Sequence, residues 1–352
     1  MANWRYTSND SHVRGFKGIP AHKMLNVQFR SRGVVVAVIA AAAPVFHAHA
    51  AGVPGYPAKP VRLVTGSAPG GGSDMVARTL AEKLSERFGQ QVLVDNRPGA
   101  GGAIGADVVA KANADGYTLL INTGSAIAVN PALQTQPYDV KRDFSPVMLV
   151  SRAPFVLAVN PALPAKTVND VIQLAKANPK KYSYASSGIG AMSHLAMELF
   201  KNMSGVNVVH VPYRGSAPAA FDLIAGQVQL AMNNIVPTLP HVKSGRLRAL
   251  GVSGPLRSPV LPEVPTVAEA GLPGYEAVQW YGVLLPAKVP RPIAALLHKE
   301  ITAVLQIPIV RTRLTEEGGD VVGGTPEQFA AYIALETEKW AKVVKAAGVK
   351  AE

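Results

Sequence analysis

The stretch Gly66-Ser-Ala-Pro-Gly-Gly-Gly-Ser-Asp74 lies between an apolar run, Val61 to Thr65, and an amphipathic run, Met75 to Phe88. It reads as strand, glycine-rich loop, helix. Val76, Leu80, Leu84 and Phe88 recur every four residues, which turns one helix face toward a core. Ser73 is read as the cap of that helix, Asp74 as the negative charge of its first turn and Gly89 as its stop. A helix N-terminus carries unpaired N–H groups and a positive partial charge, so such a loop is a ready anion site. Gly70, Gly71 and Gly72 have no Cβ, so the backbone can come close to a ligand.

The same unit recurs. Tyr182 to Ala185 reads as a strand, Ser186 to Ser193 as a Gly/Ser-rich loop, and Leu195 to Met203 as a helix. Between and beyond the two units the pattern keeps alternating. Gln91 to Val94, Tyr117 to Asn122, Phe155 to Val159, Val206 to Val211, Val228 to Met232 and Leu247 to Val252 read as strands. Asn96 to Gly105 is a second glycine-rich turn, entering a helix that runs through Lys111. Thr167-Val-Asn-Asp170 resembles a capping box, and Thr325-Pro-Glu-Gln328 opens a long helix to Ala347. Alternating strands and helices predict an α/β protein with parallel sheets and helices on both faces. In such sheets ligands bind at the carboxyl ends of strands, where both Gly/Ser loops fall.

The N-terminal region has a different character. Phe29-Arg-Ser-Arg32 is basic, Gly33 to Phe46 is apolar and uncharged, and Ala48-His-Ala50 is a small-x-small site. That is the layout of a cleaved export signal, with Met24 as a plausible start and cleavage near Ala50. The alternative is a retained anchor, for which the apolar stretch is short. Residues 1–50 hold six Lys/Arg and one acidic residue, which brings the net charge from +12 to about +7 for the remainder. No long basic run stands out and aromatics are few, so no nucleic-acid partner is expected. The chain has no cysteine. This excludes disulfides, thiolate chemistry and a lipid-modified cysteine. His194, His210, His241 and His298 have no metal-ligand spacing, so neither a metal nor a cofactor is expected.

Other chemistries fit poorly. Gly66 and Gly71 have P-loop spacing, but Gly72 stands where the phosphate-binding lysine must be. Gly99 to Gly105 misses G-x-G-x-x-G by one position. The G-x-S-x-G nucleophile elbow is absent, and Ser193-His194 are neighbours whose side chains diverge at a helix start. A hydrolase assembled at long range stays as the rival of another class. Arg214, beside Gly215 and Ser216, has a fork suited to a carboxylate or to an ion pair within the fold. Asn233-Asn234 end a strand as cleft donors or as turn formers, and Trp280-Tyr281 line a cleft or hinge or pack in the core.

Taken together, several stretches resemble one family. They are A68-P-G-G-G-S-D-M-V-A-R78, D95-N-R-P-G-A-G-G102, Y184-A-S-S-G-I-G-A-M-S-H-L195, V211-P-Y-R-G-S216, L247-R-A-L-G-V-S-G254 and V264-P-T-V-A-E-A-G271. The chain resembles the Bug-type extracytoplasmic solute-binding receptors of tripartite tricarboxylate transporters. The resemblance spans about Tyr56 to Ala347 and rests on the order and spacing of the motifs. It implies a two-lobe periplasmic binding protein, the type II "flytrap", with the ligand cleft between lobes 56–155 plus 275–352 and 156–274. It implies a small carboxylate held largely by loop backbone, with no catalysis, in a monomer. Carried over, the ligand contacts fall on Ala68, Gly71, Gly72, Ser73 and Asp74, then on Ser187, Gly188, Ser193 and His194, with Arg214 and Gly215 following. Ala191-Met192 and Asn233 depart from the family pattern and bear on the distal end of the ligand. The implied partner is a membrane permease, or alternatively a membrane signalling protein.

Overall fold

The computed structural model describes residues 53–316 and 318–350. The export signal and the Met24 start lie outside the described residues. In chain order the first elements are Val61–Thr65 (β1), Gly72–Phe88 (α1), Val92–Asn96 (β2), Ala103–Ala110 (α2), Thr118–Thr123 (β3), Asn130–Leu133 (α3) and Val140–Asp143 (α4). A long strand, Phe144–Val159 (β4), follows. Then come Val168–Ala177 (α5), Ser183–Ser186 (β5), Met192–Ser204 (α6), Val209–Pro212 (β6), Ser216–Ile224 (α7), Leu230–Asn234 (β7), Ile235–Lys243 (α8) and Arg248–Val252 (β8). The chain ends with Val278–Pro286 (β9), Arg291–Leu305 (α9), Pro308–Thr315 (α10), Asp320–Gly323 (β10) and Pro326–Ala347 (α11). Among the described residues no single helix is long and apolar enough to cross a membrane.

The strands run in the order β2-β1-β3-β9-β4-β7-β5-β6, with β8 and β10 also paired to β4. The expectation of parallel sheets holds only in the two wings. β1 pairs parallel with β2 and β3, and β5 pairs parallel with β6 and β7. The centre is antiparallel, because β4 and β9 run against their neighbours. β4 pairs with β9 as far as Pro154↔Val278, then with β7 from Phe155↔Asn234 onward. One strand thus belongs to both wings.

The core follows the sequence pattern where that pattern is local. Val76, Leu80 and Leu84 of α1 are buried, each worth about 1.5–3 kcal/mol. The capping boxes at Thr167 and Thr325 both form. Trp280 and Tyr281 are core residues, not cleft residues. Trp280 and Trp340 both donate their indole N–H to the buried Glu336 carboxylate, at 3.1 and 2.9 Å.

The site is positioned by a backbone contact between glycines. A Cβ at Gly66 would lie 2.5 Å from Gly102 Cα and 2.8 Å from its carbonyl oxygen, and a Cβ at Gly105 would lie 3.0 Å from Gly66 Cα. The β1 loop and the start of α2 therefore touch main chain to main chain. Gly66→Ala should cost about 1–3 kcal/mol, because the atoms it meets are backbone that cannot rotate away. Urea unfolding of the variant against the parent protein checks this, and an unchanged midpoint would remove the contact from the list of constraints.

Candidate functional site

A cleft of about 520 Å³ opens at the carboxyl ends of β1, β3 and β5. Gly66, Ser67, Ala68 and Ser73 line it from the β1 loop, and Gly99 to Gly102 from the turn before α2. Asn122 and Thr123 end β3 and Ser125 follows it, and Asn130, Leu133 and Gln134 lie on and just after α3. Ser187 to Ala191 close the other side from the loop after β5. A larger groove, about 740 Å³, runs between segment 131–146 and α11. Apolar side chains such as Tyr138, Phe144 and Ile333 dominate it, and it lacks converging helix starts, so the smaller cleft is the candidate site.

The chemistry of the cleft comes from helix ends. α1, α2 and α6 begin at Gly71, Gly102 and Ala191 respectively, and none has a side-chain cap. Their first turns reach the lining at Ser73, Gly102 and Ala191. Helices α7, α8, α9 and α10 also start without a side-chain cap but lie outside the lining, so the convergence of the three starts, not the missing cap, marks the cleft. No Asp, Glu, Lys, Arg or His is among the lining residues. The cleft offers N–H groups, hydroxyls and amides with a positive partial charge, which suits an anion.

The first loop differs from the sequence reading at its cap. The cap is Gly71, in extended conformation, and Ser73 sits inside the helix. Ser73 is buried, and its Oγ accepts from Thr65 Oγ1 at 2.8 Å, so a partner on β1 draws its side chain inward. Asp74 is also buried. Its carboxylate accepts from Gly70 N (2.8 Å), Arg78 Nε (2.9 Å) and Asn96 Nδ2 (2.8 Å). Burial acts to raise its pKa, but the bonds from Arg78, Gly70 and Asn96 and the Arg78 charge outweigh this and hold it low. Asp74 therefore braces the loop from behind.

The second loop is braced by side chains too. Ser187 N donates to Ser193 Oγ at 3.0 Å, and the two hydroxyls are 2.7 Å apart. Gly190 N donates to His194 Nδ1 at 3.1 Å. The histidines, read from sequence as scattered, are partly brought together: His194 and His210 stack face to face at 3.9 Å and 7°. His210 Nε2 lies 2.7 Å from Ser186 Oγ. This Ser–His contact does not present a nucleophile, because Ser186 is 1% exposed and outside the cleft lining.

Of the residues expected to touch ligand, Ala68, Ser73, Ser187 and Gly188 line the cleft. Gly71, Gly72, Asp74, Ser193, His194, Arg214, Gly215 and Asn233 do not. Gly71, Asp74, Ser193 and His194 lie directly behind the lining loops. Arg214 is exposed, with no hydrogen bond or ion pair among the described residues, in a loop whose Tyr213 carbonyl neighbours Gly188. Asn233 is buried, donating to Ser216 O and Thr238 Oγ1, while its Oδ1 has no partner. Sequence reasoning missed Gly99 to Gly102, Asn122, Thr123, Ser125, Asn130, Leu133 and Gln134. Only the glycines had a signal, the Gly-rich turn after Pro98.

The family model described as "Tripartite tricarboxylate transporter family receptor" matches residues 76–349. Protein BugT of Bordetella pertussis is 39% identical over 320 residues, covering 90% of this chain and 96% of its own. Among solved structures, the R. palustris protein Rpa4515 with adipate is 40% identical, with a TM-score of 0.74 over 84% of this chain and 99% of its own. The periplasmic binding protein BugD is 35% identical, with a TM-score of 0.71 over 84% and 100%. MatC from Rhodopseudomonas palustris with bound malate is 32% identical, with a TM-score of 0.71 over 82% and 100%. The fold is the two-lobe fold of these periplasmic binding proteins.

Asp74→Ala should lower stability by about 1.5–3 kcal/mol at neutral pH, the scale of hydrogen bonds to a charged group. The folded carboxyl titrates below its unfolded value, so this contribution is full above about pH 4 and is lost as pH falls through the folded pKa. Urea unfolding of both proteins at neutral and acid pH should show the gap closing toward acid. A gap that is independent of pH would assign the loss to packing.

Proposed function

Because the chain belongs to the tripartite tricarboxylate transporter family of receptors, we propose that it is a periplasmic solute-binding receptor that captures a small carboxylate and presents it to a membrane permease. The carrying observation is the cleft itself: three uncapped helix starts meet in it, and no charged side chain lines it. Each helix end supplies about 0.3–2 kcal/mol. A micromolar ligand needs about 8 kcal/mol, so direct hydrogen bonds and exclusion of water carry the remainder.

Dicarboxylates are the first choice, since relatives are known with adipate and with malate. The near carboxylate sits among the helix starts. The far one is assigned to Arg214, an exposed residue next in the chain to Tyr213, whose carbonyl neighbours Gly188. The two lobes are 56–155 plus 275–352 and 156–274. The change of β4 partner between Pro154 and Phe155 supports this division, and hinge closure there would signal occupancy. The basic-apolar-small leader, cleaved near Ala50, supports export to the periplasm.

Thermal unfolding of the purified protein with malate, succinate, adipate and related acids should show at least one rise. A ligand at about 100 times its Kd adds about 2.7 kcal/mol, a shift of a few degrees for a chain of this size. No shift across the panel, with no acid released on denaturation and no ester or amide turned over, would refute the receptor reading; turnover would favour the hydrolase.

Gly71→Val should abolish binding and leave the fold largely intact. A Cβ at residue 71 would lie 2.0 Å from Ser67 Oγ and 3.2 Å from Ala68 O, so the added side chain displaces the turn that lines the cleft. Calorimetric titration with the best panel ligand reads this directly, and parental affinity in the variant would sink the assignment of this loop.

A further inference from the structure

Beneath the second loop is a buried group of titratable side chains that the binding scheme above does not use. His194, on the first turn of α6, is 4% exposed. Its Nδ1 accepts the Gly190 N–H, so the ring is neutral and carries its proton on Nε2. Its face lies on His210 of β6 at 3.9 Å, and the Tyr184 ring of β5 flanks both, 4.9 Å from His210 and 6.4 Å from His194. His210 contacts Ser186 Oγ, which accepts the Gly188 N–H at 3.2 Å. The two rings thus hold the two ends of the 188–190 turn, one directly and one through a hydroxyl. Gly188 and Gly190 both have positive φ, 136° and 72°, so this turn has an unusual backbone that something must fix.

We infer that His194 is a positioning residue for the cleft: by accepting the Gly190 N–H it sets the shape of the 187–191 wall, and by being able to take a proton it ties that shape to pH. The ligand arm of this inference rests on the carboxylate-receptor reading; the loop arm does not. Protonating Nδ1 removes the acceptor of the Gly190 N–H and places a cation against His210. The charged groups facing the ring from α6 are Glu198, whose Oε1 is 3.9 Å from Nε2, and Lys201. Glu198 Oε1 already accepts from Tyr184 Oη at 2.5 Å and from Lys201 Nζ at 2.6 Å, so the Lys201 ammonium offsets much of the carboxylate charge that an imidazolium would meet. Burial, then the Lys201 charge, lowers the His194 pKa to about 4. Burial, then His194, lowers that of His210 to about 4, with Glu198 opposing and Lys201 adding. Folded-state pKa values below the unfolded one mean that this bracing is complete above about pH 6.5 and is lost as pH falls through about 4.

The test compares His194→Asn, whose Oδ1 replaces Nδ1 as a non-titrating acceptor, with His194→Phe, which keeps a ring and loses the acceptor. Hydrogen exchange of the Gly190 amide in the ligand-free protein, corrected for intrinsic exchange, reads the loop without any ligand. Protection should fall roughly tenfold in the Phe variant, one hydrogen bond's worth, and stay near parental in the Asn variant. Lowering the pH toward 4 should erode protection in the parent and spare the Asn variant. Adipate affinity should follow the same order. Equal Gly190 protection in the Phe variant and the parent would overturn the inference. So would an Asn variant that is folded but no better than Phe, or parallel pH profiles. If the exchange pattern holds while no acid of the panel binds to any of the proteins and none is released on denaturation, the positioning role stands and the carboxylate reading falls.

Discussion

The contact on which the site depends is the one between Gly66, Gly102 and Gly105. Three residues without Cβ atoms let the loop after β1 press against the first turn of α2. Two helix starts are thereby aimed at one point, although the strands that feed them, β1 and β2, are neighbours that would otherwise hold their loops a strand spacing apart. Asn122 Nδ2 completes the joint by donating to Gly102 O at 2.9 Å. The third helix start, that of α6, comes from the far wing, and only the long strand β4 and the return through β9 place it opposite the other two.

Around this joint, charge is managed by turning it away. Asp74 is the one acidic residue of the first loop, and a carboxylate facing the cleft would repel an anion. It is turned away from the lining, where Arg78, Asn96 and the Gly70 N–H consume its lone pairs. Its charge stabilises the α1 dipole and braces the loop without opposing a ligand. Ser193 and His194 stand in the same relation to the second loop. In both wings the polar side chains nearest the motif glycines hold the backbone in shape, and the backbone faces the cleft.

Much of the fold was legible because its signals are local. The four-residue period of α1, its Gly89 stop and the capping boxes at Thr167 and Thr325 depend on neighbours a few residues away, and all appear in the structure. The first part of β4 was not legible. It is buried on nearly every residue, so it lacks alternation, and Pro146 and Pro154 obscure it further. β9 was hidden because Trp280-Tyr281 after a Pro/Gly link also suits a cleft wall. In the site, glycine loops could be read, but the inward turn of Ser73 depends on Thr65, and the stacking of His194 on His210 depends on β6 lying beside the α6 start. Asn122, Thr123 and Asn130 carry no local signature at all; only the tertiary meeting of β3 and α3 with the glycine loops gives them a place in the cleft.

On the proposed reading, a grip made of main-chain N–H groups has a consequence for how such a protein changes over generations. Every residue type except proline supplies the same backbone donor, so most substitutions along the lining leave the anion-holding groups in place. What they alter is the volume and polarity of the space beyond. Leu133 and Gln134 on one wall and Ile189 on the other can drift with little effect on the anchor. On that reading the scaffold separates heritable choice of cargo from the act of holding it, while Gly66, Gly102 and Gly105 are constrained by the close approach of the loops.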